Sequence, residues 1–154
     1  MYLNEVCTGY QNKDEKVQDL FKAVFHENHH EMVIVRDIDF SSLCEHHMVP
    51  YIGKIHIGYI PNGTVLGISK FARLVDVLSK RLTIQENLTS ELADLIEEHL
   101  KPLGVIVVAK AQHMCMVIRG VKKQNTFTTT SAIRGVFKDN AAARLEFLNL
   151  IGRN

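Results

Sequence analysis

The chain carries two short strings of metal-ligating residue types, Cys44-Glu45-His46-His47 and His113-Met114-Cys115, far apart in sequence. They constrain the fold more than any other feature, because neither string supplies a metal site alone and the two must meet in space. Zinc takes tetrahedral sets of thiolate and imidazole, so Cys44, His47 and Cys115 would give three protein ligands and leave a fourth position for water. That open position is the mark of a catalytic rather than a structural zinc. His46 and His113 each stand within two residues of a proposed ligand, where they can serve as acid or base beside the metal. His29-His30, in a charged stretch with His26 and Glu31, reads as solvated surface, and Cys7 as a small hydrophobe.

With 154 residues, of which 46% are hydrophobic, the chain can build one domain with a real core and is too short for a comfortable two. A single domain over residues 1–154 is therefore expected. The formal net charge of +1 gives no global pull toward nucleic acid or membrane. No apolar run is long enough to span a bilayer, and the polar start Met1–Asn4 carries no signal peptide. The 3 cysteines, an odd number without a secretory signal, fit a reducing compartment and a metal site better than a disulfide framework. The expectation is a cytoplasmic protein with neither a membrane nor a nucleic-acid partner.

Hydrophobic periodicity supplies the elements. Asp14 to Phe25 places Val17, Leu20, Phe21 and Val24 at helical spacing. Met32 to Phe40 reads as a strand, with Cys44–His47 in the turn beyond it, and Tyr51 to Ile60 alternates as a second strand closed by Pro61-Asn62-Gly63. Ser69 opens a helix with Phe71, Leu74, Val75, Leu78 and Leu82 on its apolar face. Thr83-Ile84-Gln85-Glu86 has the pattern of a capping box, starting a helix through Leu88, Leu92, Leu95 and Ile96 that ends by Lys101-Pro102 and Gly104. Val105 to Arg119 reads as one long strand, whose alternation would set His113, Cys115, Val117 and Arg119 on a common face. Thr126 to Ile133 is a fourth strand, and Asp139 caps a last helix containing Leu145, Leu148 and Ile151. The order predicts an α+β fold with an antiparallel sheet and two helices between its second and third strands.

Other polar groups acquire roles from these placements. Ser69, Lys70 and Arg73 gather at a helix N-terminus, where backbone N–H groups and the macrodipole favour an anion such as a polyphosphate, and Arg119 adds a bidentate donor. The same residues also read as an N-cap beside a solvated basic face, and spacing leaves the two readings even. Glu86 is equally open: it is the acid of a capping box, or a carboxylate that accepts from a guanine's ring N–H and exocyclic amine.

Several motifs in order resemble the GTP cyclohydrolase I family. They run from Ser42-Leu43-Cys44-Glu45-His46-His47 through Val49-Pro50, Gly58-Tyr59-Ile60-Pro61, Leu66-Gly67-Ile68-Ser69-Lys70 and Gln85-Glu86 to His113-Met114-Cys115-Met116, Arg119-Gly120-Val121, Gly135-Val136-Phe137 and Glu146-Phe147-Leu148. The resemblance implies a tunnelling fold, in which subunits pool their sheets into a barrel closed by oligomerisation, with active sites between neighbours and a decamer as the family's assembly. It implies conversion of GTP to 7,8-dihydroneopterin triphosphate and formate, the entry to pterin and folate biosynthesis. Zinc falls on Cys44, His47 and Cys115, proton transfer on His46 and His113, guanine on Gln85 and Glu86, and ribose and triphosphate on Ser69, Lys70, Arg73 and Arg119. Glu45 receives no role.

The match begins near Gly9, and members of this family usually carry further helices and basic residues upstream. A chain lacking them is expected to keep its zinc site and to persist as an oligomer, while binding GTP more weakly. An active enzyme and a weak zinc- and GTP-binding relative acting as a regulatory or partner subunit are the two readings this leaves.

Overall fold

A computed structural model describes residues 2–152 of the chain. In chain order its elements are α1 (Tyr2–Val6), α2 (Lys13–Leu20), β1 (Val24–His26), β2 (Val33–Cys44), β3 (Pro50–Ile60), β4 (Thr64–Leu66), α3 (Ile68–Ser79), β5 (Leu82–Thr83), α4 (Gln85–Leu100), β6 (Gly104–His113), α5 (Met114–Val117), β7 (Thr128–Gly135) and α6 (Ala141–Gly152). The main sheet has the order β5-β2-β3-β6-β7. All its pairings are antiparallel except the short parallel contact of β5 with β2. Helices α3 and α4 lie between the neighbouring strands β3 and β6, as the sequence predicts for the second and third long strands.

Strand alternation divides the side chains between two faces. Tyr51, Ile55, Ile57 and Tyr59 of β3, with Val105, Val107, Ala109 and Ala111 of β6, pack beneath Phe71, Leu74 and Leu78 of α3 and Leu88, Leu92 and Ile96 of α4. On the opposite face Ile106 and Val108 meet Phe147 and Ala143 of α6 in a smaller core. Phe147 lies over Gly58, where an added Cβ would stand 2.6 Å from the ring. Helices α3 and α4 run along the sheet in opposite directions between its two ends. Helix α3 starts beside Tyr59, against which Phe71 packs, and finishes beside Ser41 and Ser42, bonded through Lys80 and the Arg81 carbonyl. Helix α4 starts at the Cys44 end, where Thr83 pairs with Cys44, and runs to Leu100, whose carbonyl accepts from Thr64.

Several local expectations differ from the structure. The strand expected over Met32–Phe40 extends to Cys44, which was placed in the turn beyond it, and that expected over Thr126–Ile133 spans Thr128–Gly135. The helix predicted over Asp14–Phe25 stops at Leu20, and Val24 and Phe25 instead pair with Leu66 and Val65. Ser69 is not an N-cap: Gly67 holds that position, and Leu82 lies in β5, beyond the helix. The capping box does not form, because Ile84 is the N-cap of α4 and the Thr83 hydroxyl donates to the Ile84 carbonyl. Asn140 rather than Asp139 caps α6, accepting from the Ala143 N–H at 3.0 Å. The long strand predicted to Arg119 ends at His113, opposite Tyr51. Next in β3 stands Pro50, with no N–H to extend the ladder, and the chain turns into α5, closed by the Ile118 N–H on the Met114 carbonyl. The common face proposed for His113, Cys115, Val117 and Arg119 therefore does not exist.

Candidate active site

Both ligand strings lie where strands stop. Cys44, the last residue of β2, is buried. Its N–H donates to the Val49 carbonyl at 2.9 Å, while its own carbonyl accepts from His47 at 3.3 Å and Met48 at 2.8 Å. This tight loop, with Met48 at a φ of 55°, folds His47 back until its Nδ1 is 3.7 Å from the Cys44 Sγ. Cys115 approaches from α5, and one donor atom from each of Cys44, His47 and Cys115 lies within 4.8 Å of the others. Burial, reinforced by the neighbouring Cys44, pushes the Cys115 thiol up. A divalent ion bound by the two sulfurs would reverse that balance at Cys115 by holding it as a thiolate. Among the described residues this is the one group of at least three His, Cys, Asp or Glu donors gathered so closely, and its soft donor set fits zinc.

His113 stands at the end of β6 on the helix-covered face. Its ring stacks on that of Tyr51, its cross-strand partner, with centroids 4.6 Å apart and planes 1° from parallel. Burial pushes its pKa below the ordinary imidazole value, and the Glu86 carboxylate partly opposes that shift. Burial also pushes the Tyr51 phenol up to about 12, so this ring faces His113 as a neutral group. The Nε2 of His113 is 2.8 Å from the Oε1 of Gln85. Gln85 itself is buried, and its Nε2 donates toward Ala109, Thr128 and Thr130. The side chain expected to hold guanine is thus engaged with the protein. Sequence reasoning missed Tyr51, Thr89 and Thr130. One signal was available: Gln85 and Thr89 are polar residues one turn apart on the buried face of an amphipathic helix.

The remaining candidates fall into two groups. Glu86 is exposed in the first turn of α4, near enough to His113 to influence it. His46 is exposed, its ring 6.1 Å from that of His47. Arg119 follows α5, and its charge opposes the rise at Cys115. Ser69, Lys70 and Arg73 lie elsewhere, at the start of α3 beside Tyr59. From Tyr51 to Tyr59 an extended strand advances about 27 Å, well beyond the length of a nucleoside triphosphate. A cavity of about 900 Å³ on the other face of the sheet, lined by Lys54, His56, Lys110 and Phe127 among others, contains none of these residues.

This antiparallel sheet backed by two helices has the tunnelling fold. A solved structure titled as the archaeosine synthase QueF-Like in the apo form shares it, with a TM-score of 0.53 and 20% identity over 73% of this chain and 94% of that one. At that identity the likeness speaks for the fold alone. The chain belongs to the GTP cyclohydrolase I family, whose pattern it matches over residues 1–152. It is 53% identical over 146 residues to GTP cyclohydrolase 1 of Dictyostelium discoideum, covering 95% of this chain and 62% of that protein. The corresponding protein of Porphyromonas gingivalis is 54% identical over 94% of this chain and 74% of its own length. The human one is 55% identical over 93% of this chain and 56% of its own length. Among the described residues no helix is long and apolar enough to cross a membrane.

Proposed function

We propose that this chain is the catalytic domain of a zinc-dependent GTP cyclohydrolase I, converting GTP and water to 7,8-dihydroneopterin triphosphate and formate. The observation that carries the reading is the convergence of Cys44, His47 and Cys115 within 4.8 Å, with His113 held at the adjoining strand end. Zinc bound there would supply Lewis acidity and bring the pKa of water toward neutrality. Glu86 accepts two hydrogen bonds from the guanine ring N–H and exocyclic amine, a pair adenine does not offer. Its exposure and its freedom from a capping box support that role. His113 and His46 move protons as the imidazole ring of guanine opens, formate leaves, and the ribose opens and rearranges before the pterin ring closes.

Arg119 binds phosphate oxygens bidentately at the same end of the sheet. Ser69, Lys70 and Arg73 bind the ribose and triphosphate from the first half of α3 in a neighbouring copy, as the family resemblance implies for active sites between subunits. The protein accordingly works as a homo-oligomer with sites between subunits, and the family resemblance points to a decamer. Zinc-loaded protein incubated with GTP should release formate and a product that becomes a fluorescent pterin on oxidation. Protein that holds zinc stoichiometrically and yields neither would refute the reading.

A further inference from the structure

The orientation of one buried amide decides where His113 carries its proton. The Nε2 of Gln85 lies 3.0 Å from the Ala109 carbonyl, 3.0 Å from the Thr128 carbonyl and 3.1 Å from the Thr130 Oγ1. Both carbonyls only accept, so the amide must turn its N–H pair toward them. A flipped amide would set its oxygen against two carbonyl oxygens. The hydroxyl agrees on independent grounds. Thr89 spends its single proton on the Gln85 backbone carbonyl at 2.7 Å, so Thr130 is the donor in the 2.7 Å contact between the two hydroxyls. With its own proton used, Thr130 can only accept from Gln85. All three partners therefore place nitrogen on one side and leave Oε1 facing the His113 Nε2 at 2.8 Å. An amide oxygen has no proton to give.

We propose that Gln85 is a positioning residue that holds neutral His113 in its Nε2–H tautomer and leaves Nδ1 as the acceptor of the ring. Tyr51, stacked at 4.6 Å with the planes 1° apart, fixes the plane in which the ring lies. With Nε2 held by the Gln85 oxygen and the ring plane held by Tyr51, the ring keeps one orientation and presents one free nitrogen, Nδ1. An uncharged partner does this without installing a carboxylate beside the metal group. The importance of the lock for turnover rests on the reading of His113 as a proton-transfer group. The tautomer itself belongs to the protein alone and is observable without substrate.

Neutron diffraction from zinc-loaded wild-type crystals exchanged into heavy water tests it directly. Deuterium should appear on the His113 Nε2 and on the Gln85 nitrogen facing Ala109 and Thr128. Deuterium on Nδ1, with a bare Nε2 facing Gln85, would overturn the proposal whatever the activity. Kinetics supply the second arm. Gln85→Met keeps the length of the side chain but removes the acceptor, and should lower kcat about 10- to 100-fold with KM for GTP changed less than about twofold. Gln85→Glu restores an acceptor opposite Nε2 and should recover part of that kcat, although it faces Ala109 and Thr128 less well. A purely structural amide gives the opposite ranking, and that ranking in soluble, folded variants overturns the positioning role. If both variants fail to fold, the neutron result decides. Deuterium on Nε2 in a protein that does not turn over GTP would keep the lock and remove the cyclohydrolase reading.

Discussion

Two inactive variants should rescue each other when they share an oligomer. One is Lys70→Ala/Arg73→Ala, which strips the cations at the Tyr59 end of the sheet. The other is His113→Ala, altered at the Tyr51 end. An extended strand separates these ends by about 27 Å, and with sites between subunits, as proposed above, a GTP draws the two sets from two copies. Coexpressed in equal amounts and assembled at random, half of the subunits bring an intact His113 and half an intact α3. About a quarter of the sites are then whole, provided the contact repeats around a closed ring. Differently tagged variants, purified through both tags, should show about a quarter of wild-type kcat with wild-type KM. Removal of a proton-transfer residue alone typically leaves only about 10⁻² to 10⁻⁴ of the rate, so the recovered signal stands clear of its background. Mixed oligomers no more active than the better parent would refute the division of the site between copies.

Metal analysis should find about one zinc per chain, lost in Cys44→Ala, His47→Ala and Cys115→Ala but kept in His46→Ala and His113→Ala, both of which lose turnover; full occupancy in Cys115→Ala would sink the ligand set. Glu86→Gln should leave thermal stability near wild type, since the side chain is exposed and caps nothing, while weakening GTP binding by roughly 1.5–3 kcal/mol, the typical worth of a hydrogen bond to a charged group. Wild-type GTP kinetics in that variant would leave Glu86 outside the site. His56 accepts the Asp37 N–H on Nδ1 at 3.1 Å, and its pKa is lowered from 6.5, mainly by burial. The folded state therefore binds this proton less readily than the unfolded chain, so the contribution of His56 is full above about pH 6.5 and fades as pH falls through the lower folded value. Unfolding midpoints measured from about pH 7.5 down to about pH 5 should fall more in wild type than in His56→Gln, and parallel curves would remove His56 as a source of the slope.

Alternation made the sheet readable. Tyr51 to Ile60 shows period two because one face packs under α3 and α4, and the same parity carries through Val105, Val107, Ala109 and Ala111 to His113. What sequence reading missed was settled by tertiary partners. Val24 fits the helical pattern of Val17, Leu20 and Phe21, yet β4 offers its backbone a ladder, and β4 itself is too short to announce itself. Thr83 and Glu86 have the residue types of a capping box, but Thr83 is drawn into the parallel pairing with Cys44, which turns its hydroxyl away. Gln85 was read as a neighbour of Glu86, although its spacing to Thr89 on the buried face of α4 was visible. Its partners are carbonyls and a hydroxyl on β6 and β7, which no local pattern reveals.

The same tertiary control explains why the metal donors converge. Had β6 continued through Cys115, alternation would have sent that thiol to the same helix-covered face as His113, one pleat further along. The ladder instead runs out at Pro50, the backbone is released from period two, and α5 is free to bring Cys115 across to Cys44. On the neighbouring strand Cys44 closes β2, and the hydrogen bonds from His47 and Met48 to its carbonyl curl the loop until His47 joins it. A strand interior fixes direction rigidly, as it does for His113 and Tyr51. A strand end permits the change of direction that three converging donors require. The placement follows from that contrast: His113, whose ring the proposal holds in one orientation, is still in the ladder, and each candidate metal donor lies at a point where the ladder stops or beyond it.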